Sequence, residues 1–434
     1  MRRLLLVLTI LVTVVTPGFS QEALRLTLDK AIEIALKQNQ QIHLAKDQEE
    51  MAKQQVREAY SSLYPQVEGA LNYTRNIKSP VFFSDIAPQP IKIGRNNQYA
   101  IGITVRQALW LGGKLFTARD IAKLALEGAK ENLRLSRENT TLEVTKTFYS
   151  VLLMKEVARV TRETLESARL NYENILKLKR QGLASEFDSL TARVRVANLE
   201  PELIKARSNV KTVTNALKFL LNIPLKQSVA VVGSLTFKPA ELVEDESEFA
   251  LTHRKELSNL KIQKDILVKL KKIEKSNYFP SIFAIGNIQN QGSSEDFDFT
   301  DRERVTIINA GVSVSIPIFN GFQTAARVQQ AQIKINQINR RIDLLTKQIR
   351  LEVENSRLKL EEARKRVEAQ QQSVQQAEKA LQIAKVRFQN GLSTQVELTN
   401  AETVLEQTKL AQLSAIYDYL IAKADYEKAL GIIQ

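Results

Sequence analysis

The chain has 434 residues, 44% hydrophobic, 25% charged and 6% aromatic, with 15 glycines, 10 prolines and no cysteine. The lack of cysteine excludes a disulfide framework, thiol chemistry and cysteine-bound metal, and two histidines, His43 and His253, do not build a histidine metal site. The net charge of +14 comes from Lys and Arg mixed with Glu and Asp along helical faces, which reads as a solvated helix surface and not as a nucleic-acid footprint.

The start of the chain has a secretory pattern. Met1-Arg2-Arg3 is basic, Leu4 to Val15 is an apolar core, and Gly18-Phe19-Ser20 supplies small residues before Gln21. Residues 1–20 therefore read as a signal peptide, cut ahead of Gln21. The apolar core is short for a membrane span, and no other stretch holds 18 consecutive apolar residues. Without cysteine, the mature N-terminus offers no attachment point for a lipoprotein anchor.

From Leu28 to about Leu63 the chain is amphipathic and free of proline and glycine, which predicts one helix with Thr27 as its cap. YPQVEGALNYT then alternates apolar and polar residues, the period of a strand. A loop rich in Pro, Asn and Ser follows from about Asn76 to Asn97, then a second strand, YAIGITVRQALW. Gly112-Gly113 ends it. A run poor in helix breakers reaches Gln181, and after Gly182 a further helix reaches about Asn222, bent locally at Pro201.

The second half repeats this order. A shorter helix is expected from Glu248 to Asn277, then strands FPSIFAIGNIQ and RVTIINAGVSVSIPI around the loop QGSSEDFDFTDRE. A long run opens after Asn320-Gly321 and reaches Asn390, and a final helix spans about Thr394 to Leu430. Ile335, Ile338, Ile342, Leu345 and Ile349 form a heptad seam in the long run.

The two halves superimpose in sequence. Gly182-Leu183 falls on Gly391-Leu392, Asp188 on Glu397, Gly102 on Gly311 and Trp110 on Phe319; nearer the front, Tyr64-Pro65 falls on Phe279-Pro280. A repeat unit this long is a duplicated half, not a solenoid repeat. The long helix of half one measures about 100 Å at 1.5 Å per residue, matched by the two shorter helices placed end to end.

Ile101, Ile103, Val105 and Ala310, Val312, Val314 put apolar residues on one face of their strands; Gly102, Thr104, Arg106 and Gly311, Ser313, Ser315 put small or polar residues on the other. This is the dyad of a membrane barrel strand. Tyr99, Trp110 and Phe319 lie near strand ends, where membrane-interface aromatics belong. Four strands cannot close a barrel, so copies must share one: two give eight strands and a filled interior, three give twelve and a lumen.

LTLDKAIEIALKQN, LYPQVEGALNYT, SIPIFNGF and the twin turns RQGLASEFDSL and QNGLSTQVEL, in this order and duplicated, give the chain a resemblance to the TolC-type outer-membrane efflux family. The resemblance covers essentially the whole mature chain. One departure is Ala108, where the second half has Pro317.

The resemblance implies an α+β protomer of mainly long helices: a helical periplasmic barrel, with four transmembrane strands contributing to a 12-stranded barrel in a homotrimer. The expected division is a first repeat at 21–222 (hairpin 63–110, long helix 113–181, helix 186–222), an equatorial linker at 223–247, and a second repeat at 248–434 (hairpin 279–318, long helix 322–390, helix 394–430). The implied function is a passive exit duct of a tripartite efflux pump or type I secretion system, placed in the outer membrane. Its partners would be a periplasmic adaptor, an inner-membrane transporter and outer-membrane lipid.

By the same resemblance, Gly182, Leu183, Ala184 and Gly391, Leu392, Ser393 form the turns where the adaptor docks, with Ser185 and Thr394 capping the returning helices. Glu397 with Asn400, and Asp188 with Thr191, are the candidate periplasmic gate residues; Asn400 stands where a second acid would be expected. An exported adaptor-like coiled-coil protein without its own barrel is the competing reading, and a cytosolic coiled-coil scaffold a second. No nucleophile–base set, phosphate loop or metal spacing points to an enzyme, cofactor or metal centre. The exported substrate is not written in the sequence.

Overall fold

The computed structural model describes residues 24–79, 81–83, 89, 91–92, 94–240, 245–296 and 304–433. The signal-peptide reading of residues 1–20 lies outside them. The chain divides into two compact units. One takes the residues up to Asn39 with Thr140–Glu241 and Lys359–Asp425; the other takes Gln40–Asn139, Leu242–Leu358 and the residues from Tyr426 on.

In chain order the elements are β1 (Leu24–Leu26), α1 (Leu28–Gln38), α2 (Gln40–Ser61), β2 (Gln66–Arg75), β3 (Val81–Phe82), β4 (Ile91–Lys92), β5 (Asn97–Trp110), α3 (Lys114–Arg180) and α4 (Glu186–Leu220). There follow β6 (Val229–Val231), α5 (Glu246–His253), α6 (Lys255–Ser276), β7 (Ser281–Ser294), β8 (Arg304–Ser315), α7 (Gln323–Gln389) and α8 (Gln395–Leu430).

Two single helices expected from sequence are each broken. The first stops at Asn39, whose backbone turns extended (φ −65°, ψ 131°) while its carboxamide donates to Leu220 O at 2.8 Å. Asparagine competes with the helix by bonding backbone elsewhere, so the break needs neither proline nor glycine. The second stops at Arg254 (φ −66°, ψ 117°), whose buried guanidinium bonds Glu256, Glu352 and the carbonyl of Ala429. The loop between β2 and β5 also holds a short ribbon, with β3 antiparallel to β4. Helix α4 continues through Pro201.

In the first unit β1 pairs parallel with β6, Leu24 opposite Val229 and Leu26 opposite Val231. Under this pair lies a core of Leu26, Ala31, Ala35, Val144, Phe148, Leu217 and Leu221. A smaller cluster of Leu165, Ala168, Leu199 and Leu203 joins α3 to α4. Along α7 the seam is read correctly at Ile335, Ile338 and Ile349, which are buried; Ile342 and Leu345 are only partly covered.

In the second unit four strands form one antiparallel sheet in the order β2-β5-β7-β8. Ile101 sits opposite Leu71 and Asn290, and Ile288 opposite Ile103 and Ile308. The sheet shows exposed apolar side chains on one face, with Val67, Leu71, Ile101, Ile103, Ile308, Val312 and Val314 all open to solvent in the single chain. Burying apolar surface is the main stabilising term in folding, so a face like this signals a non-aqueous neighbour.

Candidate functional site

The two tip turns are built alike. In each, the helix ends in a left-handed glycine, Gly182 at φ +76° and Gly391 at φ +71°. The next amide reaches back five residues, Leu183 N–H to Leu178 O at 2.9 Å and Leu392 N–H to Arg387 O at 2.8 Å. The glycine amide bonds Lys179 O in one turn and Phe388 O in the other, both at 3.0 Å. This is a Schellman closure, which glycine favours because its missing Cβ removes the left-handed penalty.

The following helices are capped from the residues expected. Ser185 Oγ accepts from the Asp188 amide at 3.1 Å, and Asp188 accepts from the Ser185 amide at 3.0 Å, closing a capping box. Thr394 Oγ1 accepts from the Glu397 amide at 3.2 Å, but the carboxylate of Glu397 does not return the bond. Instead it stays half exposed, 4.0 Å from Arg387. The duplicated acids therefore have different duties: Asp188 is engaged in the cap, while Glu397 projects from its helix beside exposed Asn400.

A cleft of about 930 Å³ joins the two turns. It brings together Leu183, Ala184 and Asp188 from the first turn with Gly391 and Ser393 from the second. Gly182, Thr191, Leu392, Glu397 and Asn400 do not line it. Sequence reading missed Gln395 and Glu402, which do. Gln395 is 2% exposed; its Oε1 and the Ser393 Oγ are buried without a hydrogen-bond partner among the described residues. Burial pushes the Glu402 carboxyl above the usual range, against the pull of Lys385 and Arg195. One helical turn on, Arg195 of α4 bonds Glu406 of α8 at 2.6 Å. Burial raises Glu406 too, with Glu202 adding to the rise and Arg195 opposing it. No periodicity rule marks these groups, since each looks like an ordinary solvated helix residue in sequence.

The sheet of the second unit carries the aromatic positions. Strict alternation from Ile101 would put Trp110 on the polar side with Thr104 and Arg106. A register shift between Ala108 and Trp110 sets Trp110 opposite Ile282, and so on the apolar face. A β-bulge re-aims a side chain in this way. Trp110 then packs edge-on to Phe279, ring centroids 6.1 Å apart. Phe319 lies past the end of β8, edge-on to Phe322 at 5.5 Å. Tyr99 lies at the other end of β5, in line with Tyr73 of β2 and Gly292 of β7. Tyr73 and Phe279 were not read from sequence as interface aromatics, although Tyr73 shares the parity of Val67 and Leu71.

Ten residues of β7 separate Ile282, opposite Trp110, from Gly292, opposite Tyr99. That is about 33 Å along the strand. At a tilt near 40° it spans about 25 Å of membrane normal, the height of an outer-membrane apolar band. The other face of these strands carries Glu68, Asn72, Gln98, Thr104, Arg106, Asn287, Gln289 and Asn309, a mainly polar set into which Phe283, Ile285, Val305 and Ile307 are interspersed. Among the described residues no helix is long and apolar enough to cross a membrane, and no cluster of three or more His, Cys, Asp or Glu is placed to hold a metal.

A family model described as outer membrane efflux protein matches residues 31–222 and 248–432. The cobalt-zinc-cadmium resistance protein CzcC of Cupriavidus metallidurans is 24% identical over 210 residues. That alignment takes in 48% of this chain and spans about half, 48%, of CzcC. Among solved structures, the outer membrane protein VceC of Vibrio cholerae superimposes with a TM-score of 0.75 at 18% identity, over 93% of this chain and 96% of that one. The Campylobacter jejuni CmeC outer membrane channel gives a TM-score of 0.78 at 19% identity, over 93% and 85%. The Neisseria gonorrhoeae MtrE outer membrane channel gives 0.75 at 19%, over 93% and 88%.

Proposed function

The chain belongs to the outer membrane efflux protein family, and we propose that it is the outer-membrane exit duct of a tripartite efflux pump or type I secretion system. The carrying observation is the four-stranded sheet, mainly apolar on one face and mainly polar on the other, with β2 and β8 as its two edges. Lipid does not tolerate open strand edges, so the edges must meet edges of other copies. Three copies give twelve strands around a polar lumen, whereas eight strands leave room only for side chains. The duct is a passive conduit, and the inner-membrane transporter supplies the energy.

In this reading Tyr99, Trp110 and Phe319 sit at the membrane boundaries, and the helices stand in the periplasm. The two repeats, 21–222 and 248–434, are joined by the linker 223–247. The turns Gly182, Leu183, Ala184 and Gly391, Leu392, Ser393 receive the periplasmic adaptor, supported by the cleft that joins them. Glu397 and Asn400 on α8, with Asp188 and Thr191 on α4, guard the periplasmic entry. The likeness to CzcC makes cobalt, zinc and cadmium ions the first cargo to test.

Two measurements test this. The purified protein should fractionate with the outer membrane, require detergent, and form conducting pores in a planar bilayer; a protein released without detergent overturns the reading. A bulky maleimide on Leu392→Cys, whose position is 69% exposed, should block capture of the adaptor, and unimpaired capture by the labelled protein would remove the docking role from the turn.

A further inference from the structure

The outward end of the sheet carries a level row that the duct function does not use. Tyr73, Tyr99, Gly292 and Arg304 are successive register partners on the four strands, so they cross the sheet side by side. They share the apolar face with Leu71, Ile101 and Ile308. Two contacts fix the row. A Cβ on Gly292 would fall 2.4 Å from the Tyr99 ring carbon bearing its hydroxyl, so the phenol end of that ring lies over the glycine. The Arg304 guanidinium in turn stands 5.7 Å from the centre of the same ring. An aromatic laid over a strand glycine fills the gap that glycine leaves.

Arg75 lies two residues beyond Tyr73 at the end of β2, on the same face. Asn97, its partner on β5, accepts from the Tyr73 hydroxyl at 2.9 Å and donates to the carbonyls of Glu295 and Asp296. The aromatic level is thus braced by hydrogen bonds and not left to side-chain mobility. Arg75 and Arg304 end the two edge strands on the side away from α2 and α7, which enter and leave the sheet at its other side. When edges of neighbouring copies join, Arg304 of one copy and Arg75 of the next come to the same rim.

We propose that this rim binds the phosphate of an anionic outer-leaflet lipid, with Arg304 and Arg75 as the phosphate ligands and Tyr99 and Tyr73 as the platform against its sugar and acyl boundary. The proposal rests on the trimeric barrel above. The chemistry is specific: guanidinium groups bind phosphate through paired N–H donors, and the contact with the Tyr99 ring holds Arg304 at this level. The position is specific too, because the row lies about 25 Å from the Trp110 level, where apolar chains give way to headgroups. Paired cations at a headgroup level attract anionic lipid by the same electrostatics that draw basic segments to anionic membrane surfaces.

The test uses the delipidated full-length trimer, native mass spectrometry, and diphosphorylated lipid A as probe, with the same glycolipid enzymatically dephosphorylated as comparator. Wild type should retain the phosphorylated form at least about tenfold better, and Arg75→Gln/Arg304→Gln should abolish that preference. Inorganic phosphate in excess should not displace it, since the lipid body is part of the ligand. Equal retention of the two glycolipids by wild type overturns the proposal without any variant. So does a double variant that keeps the preference, and displacement by free phosphate reduces the site to a simple anion site. Conductance of the same preparations separates this from the duct itself: pores with no phosphate preference sink only the lipid site, and no pores sink the duct.

Discussion

For the fold, Gly182 and Gly391 are conformational requirements. A Cβ at either would meet no atom within 4 Å, so an alanine costs only the left-handed backbone, about 1 kcal/mol. Gly112 differs. It sits at φ +61°, and a Cβ there would lie 2.8 Å from Ser276 O, so Gly112→Ala should lower the melting temperature well beyond Gly391→Ala. Thermal unfolding of the two variants side by side checks the order. Glu138 is the other informative residue. Burial lifts its carboxyl from 4.5 to about 7, with Glu256 and Glu131 adding and Lys255 and Arg254 opposing. The folded chain thus holds a proton that the unfolded chain releases above pH 4.5. Stability from this group is full below 4.5 and is lost as pH rises through about 7. Glu138→Gln should flatten that slope in chemical denaturation; an unchanged slope would show the group titrates normally.

At the scale of elements, the Arg195–Glu406 bond ties α4 to α8 below the turns. Both side chains are mostly covered, so removing one strands the other in a poorly solvated place. Either Arg195→Met or Glu406→Leu alone should destabilise this unit more than the two together, because the double change leaves no unpaired charge. A double-mutant cycle on thermal unfolding measures the difference, and additive losses would show the pair is effectively solvated. The helices themselves were legible where their signals are local: Thr27, Ser185 and Thr394 are caps by residue type, and the glycines stop the long helices. The breaks at Asn39 and Arg254 were not legible. Each is decided by a side chain reaching a partner far along the chain, Leu220 O for one and Glu352 for the other.

For the whole molecule, the duplicated acids predict an asymmetric entry. Asp188 is spent in its capping box, while Glu397 is open to solvent, so the charge ring of a trimer should come from Glu397. Rings of carboxylates favour cations. Glu397→Gln should reduce cation preference in single-channel recordings, whereas Asp188→Asn should chiefly loosen the start of α4. Unchanged selectivity in Glu397→Gln would remove it from the gate.

The sequence by itself determined the duplication, the strand dyad and the chemistry of the turns, because periodicity and glycine are properties of neighbouring residues. It also determined that four strands needed other copies. Tertiary structure alone decided which face Trp110 takes, since one residue of bulge reverses parity. It alone set Tyr99 upon Gly292 and beneath Arg304, and left Gln395 Oε1 without a donor in the cleft. These depend on register and packing between strands and helices that are hundreds of residues apart in the chain or joined by long loops, and no local pattern encodes them.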